Sequence, residues 1–312
     1  MQNILIRADS SSKIGLGHIM RDLVLAKQFP KSSITFVTQE LKGNINNKIL
    51  EANHKIEILL SNNKKELVKL IKRLKIDLLI IDHYAITQKI EKYIKEKTNT
   101  KIFVLDDTYE KHNCDILLNH NIGANKKRYK NLVPKHCELR CGYEYTLIRD
   151  EFKNLKEDRI IKKKPETVFI SLGGTDNFNL NITILKALKN LKIILVTTHA
   201  NVNLPILQEY IKKKKNIKLY INTDNIAQLM RRSDFAIITP SVTAHEVIHL
   251  KIPFILVNIM PNQSEVYAFL KKDFLHLNKK NVHNIMDKVN IIIKKYDYYI
   301  NKFNKGKYNA KQ

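Results

Sequence analysis

A histidine directly follows two closely spaced glycines in Gly15-Leu16-Gly17-His18, where a short apolar run over residues 4–7 gives way to a helical pattern over 19–28. Glycine lets backbone approach a bound group closely, and a helix start supplies unpaired N–H groups and partial positive charge. Gly15 and Gly17 are therefore read as substrate-contacting backbone that delivers His18. The positive helix end opposes an imidazolium, so His18 is expected to be neutral near pH 7 and able to take a proton from water. The alternative is a capping or packing histidine, and the polar, turn-rich surroundings argue against packing. As a dinucleotide fingerprint the run is defective: Met20 stands where a third glycine belongs, although Glu40 after the second strand could mimic the ribose-binding acid. It is no P-loop, because no Gly-Lys-Ser/Thr follows.

A second glycine turn, Gly173-Gly174-Thr175-Asp176, also follows an apolar run and precedes a helical pattern. Its N–H groups and the Thr175 hydroxyl suit a diphosphate, although Gly-Gly turns also occur as plain loops. Farther on, Thr239-Pro240-Ser241 opens another helix, with Ser241 a natural N-cap and Glu246 able to meet both hydroxyls of a ribose. A solvated Glu is the other reading. Asp82-His83-Tyr84 closes the most apolar strand of the first half, where Tyr84 or His83 could hydrogen-bond a sugar; a structural turn fits equally well. Cys114, Cys137 and Cys141, with His112 and His136 nearby, match no zinc spacing and read as buried or idle thiols of a reducing compartment.

These residues need scaffolds, and the chain supplies two. In the first half, strand-like runs at 4–7, 34–37, 56–60, 76–81 and 102–105 alternate with helical patterns at 19–28, 65–74 and 87–97. Residues 116–118 and 137–141 read as shorter edge strands. The runs are continuously apolar rather than alternating, which predicts parallel sheets covered on both faces. A linker is expected over 150–166, where Pro165 breaks any helix. The pattern then restarts, with strands at 168–172, 192–196, 217–221, 235–238 and 254–257 and helices at 180–188 and from about 204, 225 and 241. The tail over 281–304 has helical spacing, and whether it folds back over the domain junction is left open. The expected fold class is α/β, with two Rossmann-like, doubly wound domains facing a cleft: residues 1–152 with the catalytic His and sugar site, 166–280 binding the nucleotide, and 281–312 as a C-terminal helix and tail.

Composition excludes several classes. With 312 residues, two domains can be built, and no stretch approaches the roughly 20 apolar residues of a membrane span. The N-terminus lacks the signature of a signal peptide, so a cytoplasmic protein is expected, with no membrane partner. The net charge of +25 comes from 46 lysines against only nine arginines, dispersed along a chain also rich in Asn and Ile. That bias, typical of an AT-rich genome, argues against a nucleic-acid partner, which usually demands Arg forks, but favours an anionic small substrate.

Taken together, several segments resemble one family. They are residues 7–21, Ile80-Ile81-Asp82-His83-Tyr84, Cys114-Asp115-Ile116-Leu117-Leu118-Asn119, the run 140–152 with its Tyr-Thr-Leu-Ile-Arg-Asp-Glu-Phe, the Gly173-Gly174-Thr175-Asp176 turn and the Glu246 helix. The family is the UDP-2,4-diacetamido-2,4,6-trideoxy-β-L-altropyranose hydrolases of bacterial pseudaminic acid biosynthesis, a route tied to flagellin glycosylation, and the likeness spans about residues 1–275. The resemblance implies a GT-B type fold related to the lipid II-forming N-acetylglucosaminyltransferase. It also implies metal-independent, cofactor-free attack of water on the anomeric carbon of a UDP-sugar, with inversion. Under it His18 is the catalytic residue, Asp82 and Tyr84 belong to the sugar site, and Gly173, Gly174 and Thr175 hold the diphosphate. Ser241 and Glu246 serve the nucleoside, and Asn262 and Gln263 lie near the diphosphate and sugar. The segment 239–245 departs most from the family pattern. A monomer is expected. Two rival functions stand beside this one: glycosyl transfer to an alcohol acceptor within the same fold, and a basic nucleic-acid-binding protein.

Overall fold

The computed structural model describes residues 1–155, 161–260 and 263–304, and the chain divides into two compact units, Met1–Leu147 and Ile148–Gln312. The first unit carries seven strands: β1 (Gln2–Ala8), β2 (Ser32–Thr38), β3 (Lys55–Ile58), β4 (Leu78–Asp82), β5 (Lys101–Leu105), β6 (Ile116–Asn119) and β7 (Glu138–Cys141). All pair in parallel, in the order β3-β2-β1-β4-β5-β6-β7. Successive residues of a strand point to opposite faces. Ile4, Ile6, Leu78 and Ile80 accordingly join one buried cluster, and Leu5, Leu79 and Ile81 join another. Helices cover both faces, so each strand can be apolar throughout.

The second unit repeats the plan with β8 (Thr167–Ser171), β9 (Lys192–Thr197), β10 (Ile217–Ile221), β11 (Phe235–Ile238), β12 (Phe254–Asn258) and β13 (Leu275–Asn278), ordered β10-β9-β8-β11-β12-β13. In both sheets the order reverses beside the first strand, between β1 and β4 and between β8 and β11. Ligands of doubly wound sheets bind beyond the carboxyl ends of the strands at that reversal. The residues that leave these four strand ends are the polar clusters with chemical potential: Asp9 to His18, Asp82-His83-Tyr84, Gly173-Gly174 and Thr239-Pro240-Ser241.

Three elements are not expected from the sequence, and two expectations, the tail and the linker, are modified. The strand Leu275–Asn278 and the helices Asn46–Glu51 and Ser264–Leu270 carry no clear sequence signal, because they are short and half exposed. The tail is not one helix but a 3₁₀ turn, Val282–Asn284, followed by the helices Ile285–Lys294 and Tyr296–Asn301, broken at Lys295. Ile285, Val289, Ile292, Tyr296 and Tyr299 bury this tail in the core of the second unit. The expected linker contains a short helix, Asp150–Lys153, packed on the helix Ile226–Arg231.

Candidate active site

In the first unit, the loop from β1 to the helix Gly17–Ala26 is closed on itself. Ser11 and Gly15 exchange backbone hydrogen bonds at 3.2 and 2.9 Å, and the Ser11 hydroxyl accepts from the N–H groups of Lys13 and Ile14. Gly15 sits at φ +86°, a conformation other residues adopt only with strain. The helix then starts at Gly17 without a side-chain cap, placing His18 in its first turn.

His18 is one of two histidines at the switch point, and their hydrogen bonds separate their duties. The Nε2 of His83 bonds Asp9 at 3.0 Å and its Nδ1 accepts the Ala85 N–H at 3.1 Å, so both ring nitrogens are occupied. His83 is a structural turn residue. His18 instead bonds the Asp82 carboxylate through Nδ1 at 2.8 Å, and its Nε2 has no partner among the described residues. With Nδ1–H donated to a carboxylate, a neutral ring carries its lone pair on Nε2. Sequence reasoning foresaw the helix end but not this carboxylate.

Asp82 is reassigned by the structure. It is 1% exposed, and its oxygens are occupied by His18 and by Arg21, whose Nε donates at 2.6 Å and whose Nη2 donates to the other oxygen. Burial alone would raise this carboxyl, but Arg21 and His18 outweigh it and hold Asp82 far below the usual carboxylate range. Both of its oxygens are therefore engaged by neighbouring side chains, one of them His18. Tyr84 is half exposed, with its ring edge-on to His18 at 5.2 Å and its hydroxyl donating to Asp107 at 2.9 Å. Burial and then Asp107 push the Tyr84 hydroxyl upward, so it remains a donor.

Arg21, Asp107 and His120 are additions that sequence reasoning missed. Arg21 Nη1 reaches Asp107 at 3.0 Å and His120 Nε2 at 3.2 Å. Arg21 follows His18 by three residues on one helix, the spacing that puts two side chains on one face, and that signal was readable. Asp107 leaves the carboxyl end of β5, two places from β1 in the sheet. Behind them lies Asp22, fully buried, with no conventional donor to either oxygen and its carboxyl against that of Asp82. Burial, then the charge on Asp82, pushes the Asp22 carboxyl well above its ordinary range, so it is the neutral member of the pair. Counting Arg21 against Asp82 and Asp107, the cluster has one negative charge in excess while His18 is neutral. A proton gained by His18 balances it.

In the second unit, Gly173 turns the chain at φ +87° after β8. The N–H groups of Gly174 and Thr175 make no hydrogen bond among the described residues, whereas the Gly174 carbonyl accepts from the Thr198 hydroxyl at 2.9 Å. No helix begins at Gly174. The helix Leu180–Ala187 starts six residues later, and Asp176 occupies its N-terminus by accepting from the N–H groups of Leu180 and Asn181. The open donors of this segment are therefore turn N–H groups, not a helix end.

Ser241 does hold the N-cap position of the helix Val242–His249, but its hydroxyl lies 3.1 Å from that of Thr239 and makes no cap bond. Glu246, on that helix, is 2% exposed and accepts from Arg149 Nε at 2.6 Å. Burial raises the Glu246 carboxyl and Arg149 works against it. Arg149, another residue that sequence reasoning did not single out, lies 97 positions away in sequence. Gln263 precedes the helix Ser264–Leu270 and turns its side-chain oxygen toward the N–H groups of Ile259 and Met260 at 3.3 and 3.4 Å. Asn262 lies outside the described residues.

No family model matches the chain. It is 44% identical over 271 residues to the UDP-2,4-diacetamido-2,4,6-trideoxy-beta-L-altropyranose hydrolase of Campylobacter jejuni, covering 86% of this chain and 96% of that one. It is 25% identical over 269 residues to the spore coat polysaccharide biosynthesis protein SpsG of Bacillus subtilis, covering 83% and 78% of the two chains. Among solved structures, MurG of Acinetobacter baumannii superposes with a TM-score of 0.61 over 97% of this chain and 95% of that one, at 12% identity. That likeness shows the fold, two parallel sheets with alternating helices of the GT-B type.

Proposed function

The chain belongs to the family of the UDP-2,4-diacetamido-2,4,6-trideoxy-beta-L-altropyranose hydrolase, and from that premise we propose that it removes UDP from this sugar nucleotide by attack of water on the anomeric carbon. The reading is carried by one observation: His18 Nδ1 lies 2.8 Å from a buried Asp82 carboxylate, with Arg21 Nη2 at 3.2 Å, while Nε2 makes no hydrogen bond among the described residues; an ionised Asp82 can only accept, which puts the Nδ1 proton on that bond. Water oxygen bonds to the anomeric carbon as Nε2 takes its proton, and the bond from that carbon to the diphosphate oxygen breaks, its electron pair leaving with UDP. A single displacement of this kind inverts the anomeric centre. The proton taken by His18 neutralises the excess charge of the Asp82, Asp107 and Arg21 cluster, a stabilisation that grows as the transition state forms. General-base assistance contributes about 10²- to 10⁴-fold.

The second unit supplies the nucleotide's groups: the N–H groups of Gly174 and Thr175 for the departing diphosphate, and Glu246 for the ribose. Tyr84 and Asp107 face the sugar. Asn262 and Gln263 keep the place near the diphosphate and sugar that the family resemblance gives them, and Gly15, Gly17 and Ser241 contribute backbone and hydroxyl contacts. No metal step is part of this reading. The enzyme works as a monomer in the cytoplasm, in pseudaminic acid biosynthesis ahead of flagellin glycosylation. Among the described residues no helix is long and apolar enough to cross a membrane.

Because the fold is shared with glycosyltransferases, transfer to an alcohol acceptor is the second reading. Nothing in the relatives or the fold supports the nucleic-acid alternative. Hydrolysis of the UDP-sugar in ¹⁸O-water with EDTA present decides between the two: label enters the free sugar and is absent from UDP. Label in UDP, or turnover only with an added alcohol, refutes the proposal. His18→Leu is expected to lose about 10²-fold or more in turnover while still binding UDP.

A further inference from the structure

The segment Tyr145-Thr146-Leu147-Ile148-Arg149-Asp150-Glu151-Phe152 has no part in the chemistry above, yet it is built around one partly buried cation. Arg149 Nε donates to Glu246 Oε1 at 2.6 Å, and its Nη1 pairs with Glu151 Oε1, also at 2.6 Å. Glu151 Oε2 in turn accepts the Ala227 N–H at 3.0 Å, in the first turn of the helix Ile226–Arg231. The guanidinium lies 4.9 Å from the ring centroid of Phe152, itself 1% exposed. Arg149 is thus held by Glu151 and Phe152 as well as by Glu246. It engages only one oxygen of the Glu246 carboxylate, and Glu246 Oε2 makes no hydrogen bond among the described residues.

Resting on the reading that Glu246 meets the ribose, we propose that Arg149 is a positioning residue that makes the nucleoside site selective for a ribose 2′-hydroxyl. The guanidinium fixes one carboxylate oxygen and leaves the other to accept from the sugar. A carboxylate presents acceptors on both oxygens, whereas a protonated acid turns one of them into a donor. Glu246 is buried and faces a like charge in Glu151, both of which raise its carboxyl, so loss of Arg149 removes the hydrogen bond that aims it and the charge that opposes that rise. Recognition by a charged acceptor distinguishes a hydroxyl from its absence more sharply than shape does.

The test measures the affinities of UDP and 2′-deoxy-UDP for the full chain and its Arg149→Gln, Arg149→Lys, Glu151→Gln and Glu246→Gln variants by calorimetry, between pH 5 and 8. The wild-type chain is expected to favour UDP by about 10-fold or more. Arg149→Gln should lose most of that ratio by weakening UDP alone, and its UDP affinity should recover as pH rises and Glu246 ionises. Arg149→Lys and Glu151→Gln should fall in between, and they decide the matter if Arg149→Gln does not fold. A wild-type UDP to deoxy-UDP ratio in folded Arg149 variants overturns the proposal. If Glu246→Gln also keeps the ratio, the ribose reading of Glu246 fails instead.

Discussion

Replacing Asp22 by Asn should make the protein more stable, and by more at higher pH. Asp22 is fully buried, has no conventional donor, and abuts Asp82, whose negative charge Arg21 locks in place. Its folded-state carboxyl is therefore raised well above the ordinary value of 3.8 that applies when unfolded. For a group shifted this way, unfolding releases the proton, so the native state loses stability as pH rises from the unfolded pKa toward the folded one. Each pH unit in that interval costs about 1.4 kcal/mol. Asparagine has nearly the same shape, cannot ionise in either state, and its amide can donate to Asp82 as the protonated acid does. The stability difference in favour of Asp22→Asn should grow as pH rises from 4, by up to about 1.4 kcal/mol per pH unit while the folded-state carboxyl holds its proton. Urea unfolding of both proteins across that range measures it, and other titrating groups cancel in the difference. Infrared difference spectra should show a protonated-carboxyl band that the variant lacks. A stability difference that is flat in pH, or that favours the wild type increasingly, would mean that Asp22 is ionised and the reasoning wrong.

Two further outcomes are expected in the same unit. Asp82→Asn removes both the acceptor that orients His18 and the charge that balances its imidazolium, so turnover measured by UDP release should fall about 10²- to 10⁴-fold with a small change in KM; an unimpaired variant would remove Asp82 from the mechanism. His112, bonded through Nδ1 to Glu91 at 2.7 Å, has its pKa raised to about 9: burial lowers it, but Asp106 and Glu91 prevail. A pKa above the unfolded value of 6.5 gives stability that is complete below pH 6.5 and lost as pH rises through 9, a ceiling of about 3 kcal/mol. Asp106 stands 3.9 Å from Nε2, too far for a direct hydrogen bond, so about 2 kcal/mol is expected. Urea midpoints at pH 6.5 and 9 should show this loss in the wild type and not in His112→Gln.

The fold was legible because parallel strands buried on both faces must be apolar throughout, and runs such as Leu78–Asp82 and Phe235–Ile238 announce themselves without any partner. Leu275–Asn278 was not, since its apolar and polar residues alternate over only four positions at a sheet edge. The glycine turns were legible for a local reason as well: a chain leaving a strand for a helix beside a ligand needs backbone freedom at that point, as Gly15 and Gly173 show by their positive φ. The role of the residue after such a turn is less local. Asp176 looks like part of a phosphate loop in sequence, and only the structure reveals that its carboxylate already occupies the next helix end.

The site residues divide along the same line. A histidine in the first turn of a helix can be read from spacing, but its chemistry depends on which of its nitrogens is already engaged, and that is decided by strand ends brought together in space. His18 and His83 each stand beside an aspartate from the other strand of the β1–β4 pair, 64 and 74 positions away in sequence. The two pairs look alike until Ala85 is considered. Its N–H occupies the second nitrogen of His83, and nothing comparable among the described residues reaches Nε2 of His18. One backbone donor therefore separates a histidine with both nitrogens engaged from one with an open nitrogen at the same switch point. The same holds for Glu246, whose carboxylate is engaged by an arginine 97 positions away, just ahead of the expected linker. Chemistry in this chain is set by pairings between elements that sequence spacing identifies singly but cannot join.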